Sequence, residues 1–127
     1  MSITVGFISE VSELEQRVAL VPETTKKMIK AGWNVIMQAG AGAQAGFVDS
    51  SYEGCQIVKD VDSVLNAADV YVCIAAPTSE TIKKMKNNAI LVGMIAPFAD
   101  KGRFEDANKK NITTFSMELV PRTSRAQ

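Results

Sequence analysis

The feature that most constrains the fold is a regular alternation of short apolar runs with helix-prone segments. Two runs, Val70–Ala75 and Ala89–Ile95, are apolar throughout, which is typical of strands buried on both faces of a parallel sheet. Strands are predicted to begin near residues 3, 34, 56, 70, 90 and 112. This alternation predicts an α/β fold, a three-layer sandwich around a mostly parallel sheet.

Residues that typically begin and end helices support this alternation of strands and helices. Pro22 can occupy the first turn of a helix, Glu23 suits the positive end of that helix, and Gly32 is a typical stop. The inward positions of this helix are predicted to be Met28 and Ile29. Further helices are predicted over Val61–Ala67, Ser79–Lys86 and Arg103–Lys110.

A glycine-rich stretch, Gly40–Gly46, follows the predicted second strand. A dinucleotide fingerprint has its third glycine three residues after the second, whereas here Gly46 follows Gly42 by four. The stretch is therefore predicted to be a flexible turn and not a phosphate loop. Ser50–Glu53 is interpreted as a capping box for a short helix that ends at Gly54.

Composition excludes several classes of function. The 127 residues are 46% hydrophobic and carry 14 basic and 14 acidic side chains, so we expect one compact domain, residues 1–127, with no attraction to nucleic acid or an anionic membrane surface. The longest apolar run, Ala89–Ala99, is shorter than the roughly 18 residues that a membrane span needs. The first basic residue is Arg17, which is unlike a signal peptide.

The chain has two cysteines, Cys55 and Cys73, without CxxC spacing, and it has no histidine. This composition predicts neither a metal site nor a disulfide framework and fits a reducing, cytoplasmic compartment. The missing histidine also removes the commonest general base and any Ser-His or Cys-His nucleophile. Hydrolase functions are therefore disfavoured.

The last eleven residues, Met117–Gln127, are rich in hydrogen-bond donors. Chain termini fray unless something holds them, so this segment is predicted to continue into another domain. In a parallel sheet, ligands bind outside the carboxyl ends of the strands. The candidate surface therefore comprises the loops Glu10–Arg17, Ala75–Pro77, Ala96–Phe98 and Leu119–Gln127.

Several stretches in order resemble the N-terminal domain shared by alanine dehydrogenase and the α subunit of proton-translocating NAD(P) transhydrogenase. The resemblance runs essentially from end to end of the chain, and the closing motif is its most specific segment. The stretches are Glu15–Thr24, Gly40–Gly42, Ala45–Phe47 with Asp49 and Tyr52, Ala68–Asp69, Ala76–Pro77 and Met117–Gln127.

The resemblance implies a Rossmann-like or flavodoxin-like N-terminal domain, without the glycine-fingerprint domain that follows in the full subunit. It implies NAD(H) in this subunit and NADP(H) on a partner subunit, with hydride transfer coupled to proton translocation by the whole complex. The implied partners are the remaining NAD-binding domain, a second copy in a homodimer, and the membrane-embedded and NADP(H)-binding subunits. The implied location is the cytoplasmic side of the inner or plasma membrane, and the fragment alone is expected to be inactive.

The resemblance also implies site residues. Arg122 would contact the nicotinamide of NAD(H), and Gln127 would lie where the two nicotinamides meet. Thr123 and Ser124 are donors that could hold a carboxamide or a ribose. Arg125 is expected to brace the loop. The alternative for Arg122 is a surface arginine that caps carbonyl groups.

Two positions separate the branches of this family. The alanine dehydrogenase pattern has a lysine where this chain has Ala75 and a histidine where it has Ala96. Without these groups, the resemblance favours the transhydrogenase branch. Arg17 remains, and it could either anchor a carboxylate or form a structural ion pair with Glu13 or Glu118.

Two alternatives stay open at this point. The chain could be a fragment of an alanine or related amino-acid dehydrogenase, or a non-catalytic α/β module for dimerisation. A glycine fingerprint encoded downstream of Gln127 would favour the fragment, whereas a stop codon there would favour the module.

Overall fold

The computed structural model of the chain describes residues 3–10, 18–75, 77–94, 105 and 107–116. Its centre is a six-stranded sheet in the order β3-β2-β1-β4-β5-β6, with every neighbouring pair parallel. This order is that of the doubly wound dinucleotide-binding fold. The predicted α/β class and all six predicted strands are confirmed. The strands are β1 Thr4–Phe7, β2 Asn34–Gln38, β3 Gln56–Val58, β4 Val70–Ala75, β5 Ile90–Met94 and β6 Thr113–Ser116.

In the described part of the chain, the helices α1 Pro22–Lys30, α2 Val61–Ala67 and α3 Ser79–Lys84 connect these strands. Residues 105 and 107–109 are also helical, where the fourth helix was predicted. Helix α3 ends before the predicted Lys86 because the backbone of Met85 is already extended, with ψ 156°. Within the residues described above, no helix is long and apolar enough to cross a membrane.

Helix α1 ends at the predicted stop. Gly32 adopts φ +99°, and its N–H donates to the carbonyl oxygen of Ile29 at 3.0 Å. The N–H of Trp33 donates to the carbonyl oxygen of Met28 at 3.1 Å. These two bonds form a Schellman motif, which satisfies the last carbonyl groups of the helix.

The core has two clusters, and strand β4 contributes to both. Tyr71 and Cys73 are buried with α2 and α3, whereas Val70 and Val72 are half-buried and pack with α1. The α1 cluster contains Val5, Phe7, Val18, Leu20, Val35, Met37, Ala41 and Tyr52. The opposite cluster contains Leu65, Tyr71, Cys73, Ile82, Met85, Ala89, Leu91, Ala107 and Ile112.

A carboxylate joins β1 and β4 at their amino ends. The backbone N–H of Thr4 donates to Asp69 Oδ2 at 2.9 Å, and Lys86 Nζ donates to Asp69 Oδ1 at 3.0 Å. The bond from Thr4, followed by that from Lys86, lowers the pKa of Asp69 below its ordinary value of 3.8. Asp69 therefore fixes the start of β4 against the start of β1.

The interpretation of Ser50–Glu53 as a capping box is wrong. The short 3-10 helix spans Asp49–Ser51, its N-cap residue is Val48, and no side chain caps it. Ser50 lies inside the helix, so its hydroxyl is in the wrong place to cap the first turn. The turn at Gly54 is as expected, because this residue adopts φ +81°.

Candidate nucleotide-facing edge of the sheet

The carboxyl ends of β1 and β4 form the position at which the direction of the sheet reverses. From β1 the chain builds outward to β2 and β3, and it then returns to place β4 on the other side of β1. Connections leave these two neighbouring strands in opposite directions, which opens a crevice in doubly wound sheets. The fold therefore places the candidate site next to Glu10 and Ala75.

A side chain from the end of β1 binds the backbone at the end of β4. The N–H of Ile74 donates to the carboxylate of Glu10, at 2.9 Å from Oε1 and 2.7 Å from Oε2. Glu10 is half-buried, so this charge-assisted bond is partly shielded from water. The contact links the carboxyl ends of β1 and β4.

Strand β4 carries a bulge at this point. It pairs in register with β5 through Val72 and Val92, but the next pair is Ala75 with Met94. Strand β4 therefore contains one extra residue, and bulges of this kind are common next to active sites. Gly93 makes the bulge possible, since a Cβ there would lie 2.5 Å from both the carbonyl oxygen and Sγ of Cys73.

The titratable groups of β4 are poor proton acceptors at neutral pH. Burial, and to a lesser extent the charge of Glu10, raises the pKa of Cys73 from 9.0 to about 12. Burial, followed by the charges of Cys73 and Glu10, also raises the pKa of Tyr71 above its ordinary value. Both side chains stay protonated at neutral pH, so neither can act as a general base there.

The glycine-rich stretch after β2 is a turn, as predicted, and it contains a 3-10 helix at Ala43–Ala45. Gly42 serves local packing, since a Cβ there would lie 2.5 Å from the hydroxyl oxygen of Tyr52, whereas Gly40 and Gly46 adopt φ +81° and +90°. The N–H of Gly40 donates to Asp49 Oδ1 at 2.8 Å. Close packing at Gly42 and positive φ at Gly40 and Gly46 account for the three glycines without a bound phosphate.

Most of the residues expected to form the site lie outside the described ranges of the chain. These residues are Arg17, Ala96 and the closing set Arg122, Thr123, Ser124, Arg125 and Gln127. The candidate ion-pair partners of Arg17, which are Glu13 and Glu118, also lie outside them. Ala75 is placed as the last residue of β4, beside the reversal point.

Sequence reasoning included Glu10 in a candidate loop but gave it no role. The available signal was an acidic residue soon after a strand of a parallel sheet, where its side chain can reach the neighbouring strand. Both cysteines are free thiols. Across the ranges that the structure covers, no group of three or more histidine, cysteine, aspartate or glutamate side chains is arranged to hold a metal ion.

Residues 6–127 match the model of the alanine dehydrogenase/PNT N-terminal domain family. The chain belongs to this family. Similar proteins support the assignment: the NAD(P) transhydrogenase subunit alpha of Haemophilus influenzae is 32% identical over 123 residues, which cover 97% of this chain and 24% of that protein.

Solved structures of the family have the same fold. The transhydrogenase from Sinorhizobium meliloti superposes with a TM-score of 0.86 at 30% identity, over 97% of this chain and 37% of that chain. An L-alanine dehydrogenase superposes with a TM-score of 0.87 at 24% identity, over 97% of this chain and 34% of that chain. The chain thus spans between 24% and 37% of the length of these three proteins.

Proposed function

We propose that the chain is the N-terminal domain of an NAD(P) transhydrogenase α subunit. In this proposal the subunit binds NAD(H), a partner subunit binds NADP(H), and hydride passes between them, coupled to proton translocation by the whole complex. This chain forms one wall of the NAD(H) cleft, and the remaining domain of the same subunit supplies the pyrophosphate site. Family membership and the transhydrogenase relatives support the proposal.

The observation that carries this choice is Ala75 at the end of β4, beside the reversal point of the sheet. The resemblance to alanine dehydrogenase places a lysine at this position. Oxidation of an amino acid needs a group that takes up a proton while hydride leaves. Hydride transfer between two nicotinamides exchanges no proton at the reacting carbons, so it needs orientation and not a base. An alanine at this edge suits the second reaction.

In the proposed cleft the closing segment orients the nicotinamide. Arg122 contacts the ring or its carboxamide, Thr123 and Ser124 donate hydrogen bonds to the carboxamide or ribose, and Gln127 lies where the two rings meet. These assignments rest on the family motif in the sequence. The chain alone is inactive in this proposal, because the NADP(H) site is on another subunit.

The proposed assembly follows from the same assignment. The α subunit pairs with a second copy of itself and with the membrane-embedded and NADP(H)-binding subunits. The present domain lies on the cytoplasmic side, and the complex is held at the inner or plasma membrane by its other components. The relatives are named as subunits, which supports partner subunits in general.

The test compares two reactions of the complete subunit assembled with its NADP(H)-binding partner. We expect NADH to reduce a spectroscopically distinct analogue of NADP⁺. We expect no oxidation of NADH with pyruvate and ammonia, because the lysine and histidine of the alanine dehydrogenase pattern are absent at Ala75 and Ala96. Robust pyruvate-dependent turnover without transhydrogenation would contradict the proposal.

A further inference from the structure

Two carboxylates join the same two strands at opposite ends. At the amino ends, Asp69 accepts a hydrogen bond from the N–H of Thr4 at 2.9 Å. At the carboxyl ends, Glu10 accepts one from the N–H of Ile74 at 2.7 to 2.9 Å. Both contacts link β1 to β4, but only the second lies at the carboxyl ends, where the candidate site is expected. The pair therefore offers a matched comparison between a purely structural contact and one at the candidate site.

The Glu10 contact coincides with the bulge in β4. The register skips one residue between the pairs Val72 with Val92 and Ala75 with Met94, and Ile74 lies inside the skipped interval. A bulged segment has lost regular ladder bonds and needs other partners for its backbone groups. The carboxylate of Glu10 supplies one of these partners.

The opposite side of the bulge is closed by packing. Gly93 leaves no room for even one methyl group beside Cys73, since a Cβ would approach its carbonyl oxygen and Sγ to 2.5 Å. Cys73 Sγ also donates to the carbonyl oxygen of Val92 at 3.6 Å. The bulge is thus held from β5 by contact with Cys73 and from β1 by Glu10.

We propose that Glu10 is a positioning residue for the nucleotide cleft: its carboxylate fixes the bulge at Ile74 and so sets the place of the backbone at Ala75, where β4 ends. This inference rests on the proposed function, because the loop after β4 lines the cleft only if nucleotide binds at the reversal point. Glu10 itself exchanges no proton and touches no substrate in this scheme. It acts through the backbone of β4.

The chemistry favours a carboxylate in this position. An ionised acceptor makes a shorter and stronger bond to an N–H than a neutral one. Its two oxygens both lie within bonding distance of the Ile74 nitrogen, so rotation of the carboxylate does not break the contact. Glutamine would keep one oxygen at the same reach but would lose the charge. Alanine would leave the N–H without this acceptor.

The main test uses the complete subunit assembled with its NADP(H)-binding partner and compares Glu10→Ala, Glu10→Gln and Asp69→Ala. Single-turnover hydride transfer is measured at saturating nucleotides, with NADH affinity and thermal stability in parallel. We expect Glu10→Ala to slow hydride transfer about 10-fold or more, because small displacements of reacting groups are costly. Glu10→Gln should recover most of the rate. Asp69→Ala should lower stability but leave the rate within about 2-fold of the wild type.

The same proteins are compared by hydrogen exchange at the peptide that contains Ile74. We expect about 10-fold faster exchange there in Glu10→Ala and no change in Asp69→Ala, since local opening follows loss of the local bond. Unchanged exchange in Glu10→Ala, or a rate loss no greater than that of Asp69→Ala, would overturn the proposal. If Glu10→Ala does not fold, Glu10→Asp replaces it in both measurements, because aspartate is one methylene shorter and withdraws the carboxylate from Ile74. The expected changes in hydride transfer and in hydrogen exchange are then the same as for Glu10→Ala.

Failure of the proposed function gives a different result. In that case the wild-type assembly transfers no hydride between nicotinamides, whatever the variants do. The positioning role of Glu10 in β4 is then judged by the exchange measurement alone.

Discussion

The hydroxyl of Tyr52 donates a hydrogen bond to the carbonyl oxygen of Leu20 at 2.9 Å. Tyr52 is 2% exposed, and its ring packs against Phe7 and Phe47 with centroid separations of 5.6 and 6.5 Å. This one side chain joins the segment before α1 to the glycine-rich turn after β2. The turn is therefore packed against the core.

Tyr52→Phe keeps the ring and removes this hydrogen bond. We expect a loss of about 1 to 3 kcal/mol in the free energy of unfolding, because the buried Leu20 carbonyl loses its partner. Urea denaturation of the two proteins at pH 7 measures the difference. A loss below about 0.3 kcal/mol would show that another donor replaces the phenol.

Gly42→Ala should destabilise the domain by about 1 to 3 kcal/mol, because its new methyl group would lie 2.5 Å from the hydroxyl oxygen of Tyr52. Some of this cost should disappear in the Tyr52→Phe background, where that oxygen is absent. A double-mutant cycle should give a coupling of about 0.5 kcal/mol or more. Gly46→Ala is the control: it strains a residue with φ +90° in open space, so its cost should be equal in both backgrounds.

Alkaline pH should weaken the fold through buried thiol and phenol groups. Burial raises the pKa of Cys73 from 9.0 to about 12, and burial, with smaller contributions from Cys55 and Asp49, raises that of Tyr52 from 10.0 to about 12. As the pH rises, the unfolded chain therefore loses the protons of Cys73 and Tyr52 before the folded chain does. Their stabilisation of the folded state is complete below pH 9 and is lost as the pH rises towards 12. Urea midpoints at pH 7, 9 and 10.5 should fall progressively, and Cys73→Ala should make the fall shallower. A pH-independent midpoint over this range would contradict the expectation.

Arg122→Ala, made in the complete assembly, should slow hydride transfer about 10- to 100-fold, or roughly 1.4 to 2.7 kcal/mol in the barrier. NADH affinity should change little if, as we propose, the remaining domain of the subunit holds the pyrophosphate and adenosine. Stopped-flow measurement at saturating nucleotide, paired with NADH titration, separates these effects. Loss of thermal stability with an unchanged rate would instead indicate an arginine that caps a loop.

The sequence was sufficient to predict the six strands and the mostly parallel sheet, but not the order of the strands. Strands β4 and β5 were predicted because their side chains are apolar on both faces, which is a local property of Val70–Ala75 and Ile90–Met94. The stop at Gly32 was predictable for a similar reason, since a left-handed residue after a helix is commonly glycine. The capping box at Ser50 failed because serine suits both a cap and the interior of a short 3-10 helix.

The candidate site was less accessible to sequence reasoning. The bond between Glu10 and Ile74 joins residues 64 positions apart, and a local pattern can place an acidic residue after a strand but cannot identify its distant partner. The bulge in β4 also depends on a residue that is distant in sequence, since Gly93 in β5 makes room for it. The roles expected of Arg122 and Gln127 stay predictions, because these residues lie outside the described ranges of the chain.

The central place of β1 has a consequence for how the domain is made on the ribosome. Strand β1 emerges first, yet it pairs with β2 through Thr4 and Asn34 and with β4 through Val5 and Val70. Pairings between such distant residues form slowly, and the second cannot begin before Val70 has been translated. One edge of β1 therefore stays unpaired until Val70 has been synthesised. A chaperone would protect the nascent chain most effectively during this time.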